Sequence, residues 1–239
     1  MDARSLAAVI DHTLLKPEAF ESDVDRILDE CLAHGFASAC VSPVFVKRAA
    51  RRLAGSRSKV CTVVGFPNGT SKATVKAIEA VAAIKDGAGE VDVVGHLPHL
   101  LALDLDAARN ELLEVCRGAR AARKDVIIKV IVESAALVKL NADRAEETIA
   151  IACRAVRESG CDFIKTSTGF HPAGGASVEV VRWMRTHGAE ILVKASGGIR
   201  DLATARAMLE AGADRLGVSA GVSIIKELTG GSATAGGGY

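Results

Sequence analysis

Five times along the chain a helical pattern closes on a glycine and an apolar run starts within a few residues: HGFASACV, DGAGEVDVV, SGCDFIK, HGAEILVK and AGADRLGV. Glycine tolerates the left-handed cap conformation, so the chain can leave a helix and turn straight back into a strand. Counting every Val/Ile-rich run bounded by turn residues gives eight candidate strands, at 8–15, 37–43, 59–66, 90–95, 125–134, 162–168, 190–196 and 214–219. Such runs suit strands buried on both faces, as parallel sheets require. Helical patterns fit 22–35, 71–86, 104–123, 142–159, 177–187 and 201–212, with Ser22 and Asp201 as caps and Gly35 and Gly212 as stops. Eight strand–helix alternations with no second composition regime predict an α/β fold, a single (β/α)8 barrel over 1–228. A doubly wound open sheet is the alternative, but no GxGxxG follows the first strand. The segment 229–239 is Gly-rich and reads as a flexible tail.

Composition narrows the partners. A net charge of +1 and only 3% aromatics offer nothing to a nucleic acid or an anionic membrane. No apolar run reaches the ~18 residues of a membrane span. The six cysteines include no CxxC pair and fall mostly in apolar patterns, which reads as reduced thiols in a cytoplasmic protein. Small-molecule chemistry is the expectation.

The fourth to seventh strands each carry a charge amid apolar neighbours: Asp92 in EVDVV, Lys129 in IIKVIV, Lys165 in FIKTS and Lys194 in ILVKAS. Residue parity alone does not force these inward. Under the helix layer, however, a lysine would be desolvated without a partner, so the lumen is the less costly side. Any one of them could be an ion-paired core residue, but four on consecutive strands point to a site. Two ammonium groups about 5 Å apart at an effective dielectric of about 20 repel by roughly 3 kcal/mol, which would keep one lysine substantially neutral. A neutral lysine attacks carbonyl carbon to form a Schiff base, and Asp92 can move protons for it. Residue chemistry does not say whether Lys165 or Lys194 is the nucleophile.

KTSTGF, VKASGGIR and EVDVV in this order, with IDHTLL early and RLGVSAG late, resemble the deoxyribose-phosphate aldolases over essentially the whole chain. The resemblance implies that Lys165 forms the Schiff base, that Lys194 is the ammonium lowering its pKa, and that Asp92 is the proton-transfer partner. It further implies reversible cleavage of 2-deoxy-D-ribose 5-phosphate to D-glyceraldehyde 3-phosphate and acetaldehyde, with no cofactor, and a homodimer. Another phosphosugar barrel enzyme (an aldolase of different substrate, a zinc-dependent aldolase or an isomerase) and a non-catalytic binding barrel are the competing readings.

A phosphorylated substrate needs an anion site. Gly197 and Gly198 after the seventh strand, Ser219 before a short helix, and Gly169 after KTST are the candidates, with Arg200 as an optional charge. Thr13 and Thr168 could bond substrate hydroxyls. Cys40 is either a thiol facing aldehydes or a buried apolar residue. His96 and His99 could join Asp92 as zinc ligands, but a cation among three lysines adds repulsion, so no metal is expected. These two histidines and His171 depart from the usual family pattern and bear on loop shape. Tyr239, on its glycine-rich leash, is either a loose end or a phenol that reaches the site.

Overall fold

Eight strands pair edge to edge in chain order in the computed structural model, which describes residues 1–231. They are β1 (Ile10–Leu14), β2 (Ser38–Val41), β3 (Lys59–Val64), β4 (Glu90–Val94), β5 (Ile127–Ile131), β6 (Phe163–Lys165), β7 (Leu192–Ser196) and β8 (Arg215–Val218). Each is parallel to the next and β8 returns to β1, closing the barrel. All eight lie inside the runs read from the sequence. The helices are α1 (Ala3–Ala7), α2 (Glu21–His34), α3 (Val46–Arg52), α4 (Ala73–Lys85), α5 (Leu97–Leu101), α6 (Leu105–Ala122), α7 (Ser134–Leu140), α8 (Ala145–Glu158), α9 (Val178–His187), α10 (Leu202–Glu210) and α11 (Gly221–Leu228).

Register decides which residues face inward. Asp92 pairs with Lys129, Lys165 with Lys194, and Lys194 with Arg215, so these side chains share the lumen. Their neighbours Val91, Val93, Ile128, Val130, Ile164, Val193 and Leu216 pack outward with the helices in the main apolar core. Hydrophobic burial therefore sits between sheet and helix layer, while the barrel axis is polar. Among the described residues no helix is long and apolar enough to cross a membrane.

Capping follows the sequence with one correction. Asp201 accepts the Thr204 amide at 2.7 Å, and Gly35 ends α2 with φ 68. Ser22 is not the cap of α2. That helix starts one residue earlier, at Glu21, and Asp23 accepts the Phe20 amide at 3.0 Å. The fifth strand stops at Ile131, three residues short of expectation, because Glu133 takes a left-handed backbone (φ 49, ψ 55) and α7 begins at Ser134. For a residue with a side chain that conformation costs about 1–3 kcal/mol.

Lys76 is a fully buried lysine outside the barrel. It lies on the α4 face that also buries Ala80, Ala83 and Ile84. Its Nζ donates to Glu111 Oε1 at 2.5 Å and to the carbonyls of Gly69 and Val94 at 2.7 Å each. Lys76→Met would leave the Glu111 carboxylate buried without its ion partner, so we expect a loss of about 3–5 kcal/mol in urea denaturation.

Candidate active site

The lumen carries more charge than three lysines and an aspartate. β1 contributes Asp11, β4 contributes Glu90 as well as Asp92, and β8 contributes Arg215. Asp92 is the hub. Its Oδ2 accepts from both Lys165 and Lys194 at 2.7 Å, and its Oδ1 accepts from Lys129 at 2.9 Å and from the Cys61 thiol at 3.3 Å. Lys194 also reaches Asp11 Oδ2 at 2.5 Å, and Lys129 reaches Glu90 Oε2 at 2.6 Å. Arg215 Nη1 donates to Asp11 Oδ1 at 2.6 Å, beside the Ser38 hydroxyl on the same oxygen.

These contacts correct the repulsion argument. Burial alone would push Lys194 down, but Asp11 and Asp92 outweigh it and hold the ammonium well above its ordinary value. Lys129 is raised in the same way, burial being outweighed by Asp92, Glu90 and Asp11. Burial likewise raises the Asp92 carboxyl, yet Lys129, Lys165 and Lys194 drive it well below the carboxylate range. The lysines are thus mostly neutralised by carboxylates and not left to repel one another.

Lys165 stands apart within the network. Among the described residues it has a single carboxylate partner, the Asp92 oxygen it shares with Lys194. It also lines a cavity of about 240 Å³ at the C-terminal end of the strands. Among the described residues four cations face three carboxylates here, leaving one positive charge in excess. The network does not depend on Lys165 to stay closed, since Asp92 also holds Lys129 and Lys194.

The cavity gathers the other candidates. Thr13, Thr168, Gly169, His171, Gly197, Gly198, Arg200 and Ser219 all line it with Lys165. Gly197 has φ 86, and a Cβ there would lie 2.7 Å from Ser167 Oγ and 2.9 Å from Gly175 Cα. The loops after β6 and β7 touch backbone to backbone, which only glycine permits. Gly198 (φ 82) faces open space instead, leaving its backbone accessible to a ligand. Thr13 Oγ1 donates to the Asp11 carbonyl at 2.9 Å, and Thr168 Oγ1 accepts the Phe170 amide at 3.0 Å.

Other residues fall elsewhere. Cys40 is fully buried, pairs in register with Cys61, and packs in a small apolar cluster with Leu15, Val63 and Phe66. His96 and His99 stack edge to face beside Glu111 on the helix side of the sheet, while Asp92 points into the lumen. The three do not form one ligand set. Tyr239 lies outside the described residues.

Asp11, Glu90 and Arg215 join the candidate site although the sequence reading does not single them out. Glu90 and Asp92 are two apart in one strand and so share a face, a signal that was available. Asp11 and Arg215 likewise interrupt apolar runs.

A family model described as DeoC/LacD family aldolase matches residues 5–227. The chain belongs to this family. A deoxyribose-phosphate aldolase of Thermoanaerobacter sp. (strain X514) is 45% identical over 224 residues, 93% of this chain and 96% of that one. One from Mycobacterium avium (strain 104) is 49% identical over 215 residues, 90% and 92% of the two chains. Among solved structures, the tetrameric deoxyribose phosphate aldolase from Aeropyrum pernix superposes with a TM-score of 0.85 at 31% identity, covering 95% of this chain and 92% of that one. The DeoC/LacD aldolase barrel and its lysine-lined lumen are thus seen together in this chain.

Proposed function

We propose that the chain is a deoxyribose-phosphate aldolase, cleaving 2-deoxy-D-ribose 5-phosphate reversibly to D-glyceraldehyde 3-phosphate and acetaldehyde through a Schiff base on Lys165. The observation that carries this is one lysine, at the floor of a glycine-lined cavity, sharing a carboxylate oxygen with a second lysine. Family membership and the relatives' names support the substrate.

In this reading neutral Lys165 Nζ adds to the C1 aldehyde of the open-chain sugar, and loss of water gives an iminium. The iminium accepts the electron pair of the C2–C3 bond as the C3 hydroxyl loses its proton. Glyceraldehyde 3-phosphate leaves, and an enamine of acetaldehyde remains on Lys165. Protonation at C2 and hydrolysis then regenerate the lysine. Asp92, held ionised, receives protons directly or through water. Lys194 keeps a fixed positive charge beside the imine and, by holding Asp92, keeps that carboxylate in place. Gly169, Gly197, Gly198 and Ser219 hold the phosphate, with Arg200 at the same rim. Thr13 and Thr168 meet the sugar hydroxyls, and Lys129 serves as the second anchor of Asp92. No cofactor or metal takes part.

The reading extends to a cytoplasmic, homodimeric enzyme of deoxyribonucleotide catabolism, with residues 1–228 carrying the reaction and 229–239 as the tail. Incubation with acetaldehyde or the sugar phosphate, borohydride reduction and peptide mapping test the chemistry. We expect the adduct on Lys165 alone. An adduct on Lys194, or none, would sink the assignment.

A further inference from the structure

Three costs meet at Glu133. Its backbone is left-handed although it bears a side chain, its carboxylate is buried, and Oε2 has no hydrogen-bond partner among the described residues. Glycine would relieve the first cost, and any small residue the other two. A glutamate that breaks local rules this thoroughly implies a compensating role nearby.

That role is visible beside β6. The strand ends at Lys165, yet Thr168 and Gly169 line the cavity and need fixed positions. The ladder to the β5 side continues briefly beyond the strand. The Val132 amide donates to the Lys165 carbonyl at 3.1 Å, and the Ser134 amide donates to the Thr166 carbonyl at 2.8 Å. The chain then departs into α7. Where a strand carbonyl would have come next, Glu133 Oε1 accepts the Thr168 amide at 2.8 Å. On the opposite flank the hydroxyls of Thr166 and Ser167 donate to the Ser196 carbonyl at 2.9 and 2.5 Å. Residues 166–168 are therefore clamped from both sides, and on the β5 side the backbone reaches Thr166 while Thr168 is held by the Glu133 carboxylate.

We propose that Glu133 is a positioning residue, its side chain standing in for missing strand backbone and setting Thr168 and Gly169 relative to Lys165. The inference rests on the aldolase reading above and adds a residue that acts through the wall meeting the phosphorylated end of the substrate. Acetaldehyde has no such end, so the clamp matters for the sugar phosphate and not for imine formation with acetaldehyde.

The experiment compares Glu133→Gln, which keeps an acceptor oxygen, with Glu133→Gly, which relaxes the backbone and removes it. Kinetic constants for 2-deoxyribose 5-phosphate, borohydride-trapped acetaldehyde adduct and thermal midpoints are measured on each. We expect the glycine variant to raise KM for the sugar phosphate about tenfold or more, with acetaldehyde trapping held within about twofold and Glu133→Gln close to the native enzyme. Glu133→Asp keeps the charge on a shorter arm and gives the same comparison if the glycine variant does not fold; it too should raise KM. An unchanged KM in the glycine and aspartate variants, acetaldehyde trapping that falls in step with KM, or a glutamine variant as impaired as glycine would overturn the proposal. Absence of any adduct in the native enzyme would instead overturn the aldolase reading.

Discussion

Lys165→Met is expected to abolish turnover while leaving the barrel at least as stable as the native chain. Loss of a covalent nucleophile costs catalysis roughly ten-thousand-fold or more, because every later step runs through the bond it makes. Stability follows a different count. Among the described residues four cations meet three carboxylates in the lumen, and Lys165 holds only an oxygen that Lys194 also holds. Methionine has nearly the same length, removes the excess charge, and leaves Asp92 paired with Lys129 and Lys194. Replacing a buried ion by a well-packed apolar side chain is often neutral or stabilising when no partner is stranded. Lys194→Met is the contrast: it takes one of the ammonium groups from both Asp11 and Asp92, and should lower stability as well as activity. Urea midpoints and borohydride trapping on the two variants check this. A Lys165→Met protein that traps substrate, or one less stable than Lys194→Met, would contradict the charge count.

The barrel was readable because strands buried on both faces concentrate Val and Ile, and because glycine punctuates the helix-to-strand returns. Its errors have local causes. The run 125–134 is apolar to its end, but its last residues leave the sheet at Glu133, whose left-handed backbone is a tertiary outcome with no sequence mark. The run 162–168 ends as a strand at Lys165: Thr166 still bonds backbone to backbone with Lys194 and Ser134, but beyond it the Ser167 hydroxyl and the Glu133 carboxylate supply the contacts of Ser167 and Thr168. Short helices such as α3, α5 and α7 span too few turns to show a period.

Within the site, Lys165, Lys194 and Asp92 were legible as charges in apolar strands, and they do converge. Their balance was not. Long-range closure brings Asp11 from the first strand against Lys194 from the seventh, a contact invisible in local spacing. Omitting Asp11 and Glu90 made repulsion look dominant, where carboxylate pairing is the larger effect. Lys76 is the same lesson on the helix side: it shares a stripe with Ala80 and Ala83, yet its partner Glu111 comes from a different helix.

Asp92→Asn is expected to separate imine formation from the proton transfers that follow it. The substitution leaves Lys129 with Glu90 and Lys194 with Asp11, but deprives Lys165 of its only carboxylate among the described residues. An amide keeps one acceptor oxygen and loses the charge. The Lys165 amine itself is untouched and still opens on the cavity, so acetaldehyde trapping should persist. Turnover of the sugar phosphate should fall by roughly 10²–10⁴-fold, the usual contribution of a positioned proton carrier. Stability should fall too, by about 3–5 kcal/mol at pH 7, because buried ammonium groups lose their shared partner. The pH dependence carries its own sign. Asp92 is held well below the carboxylate range by Lys129, Lys165 and Lys194, against the upward push of burial, so the folded state binds its proton more weakly than the unfolded chain does. Its stabilisation is therefore complete above the unfolded value of about 3.9 and is lost as pH falls through the depressed folded value. The gap between native and Asp92→Asn urea midpoints should be widest near neutrality and shrink below about pH 4. A gap that widens with acidity, or a variant that turns over normally, would remove Asp92 from the centre of both the network and the reaction.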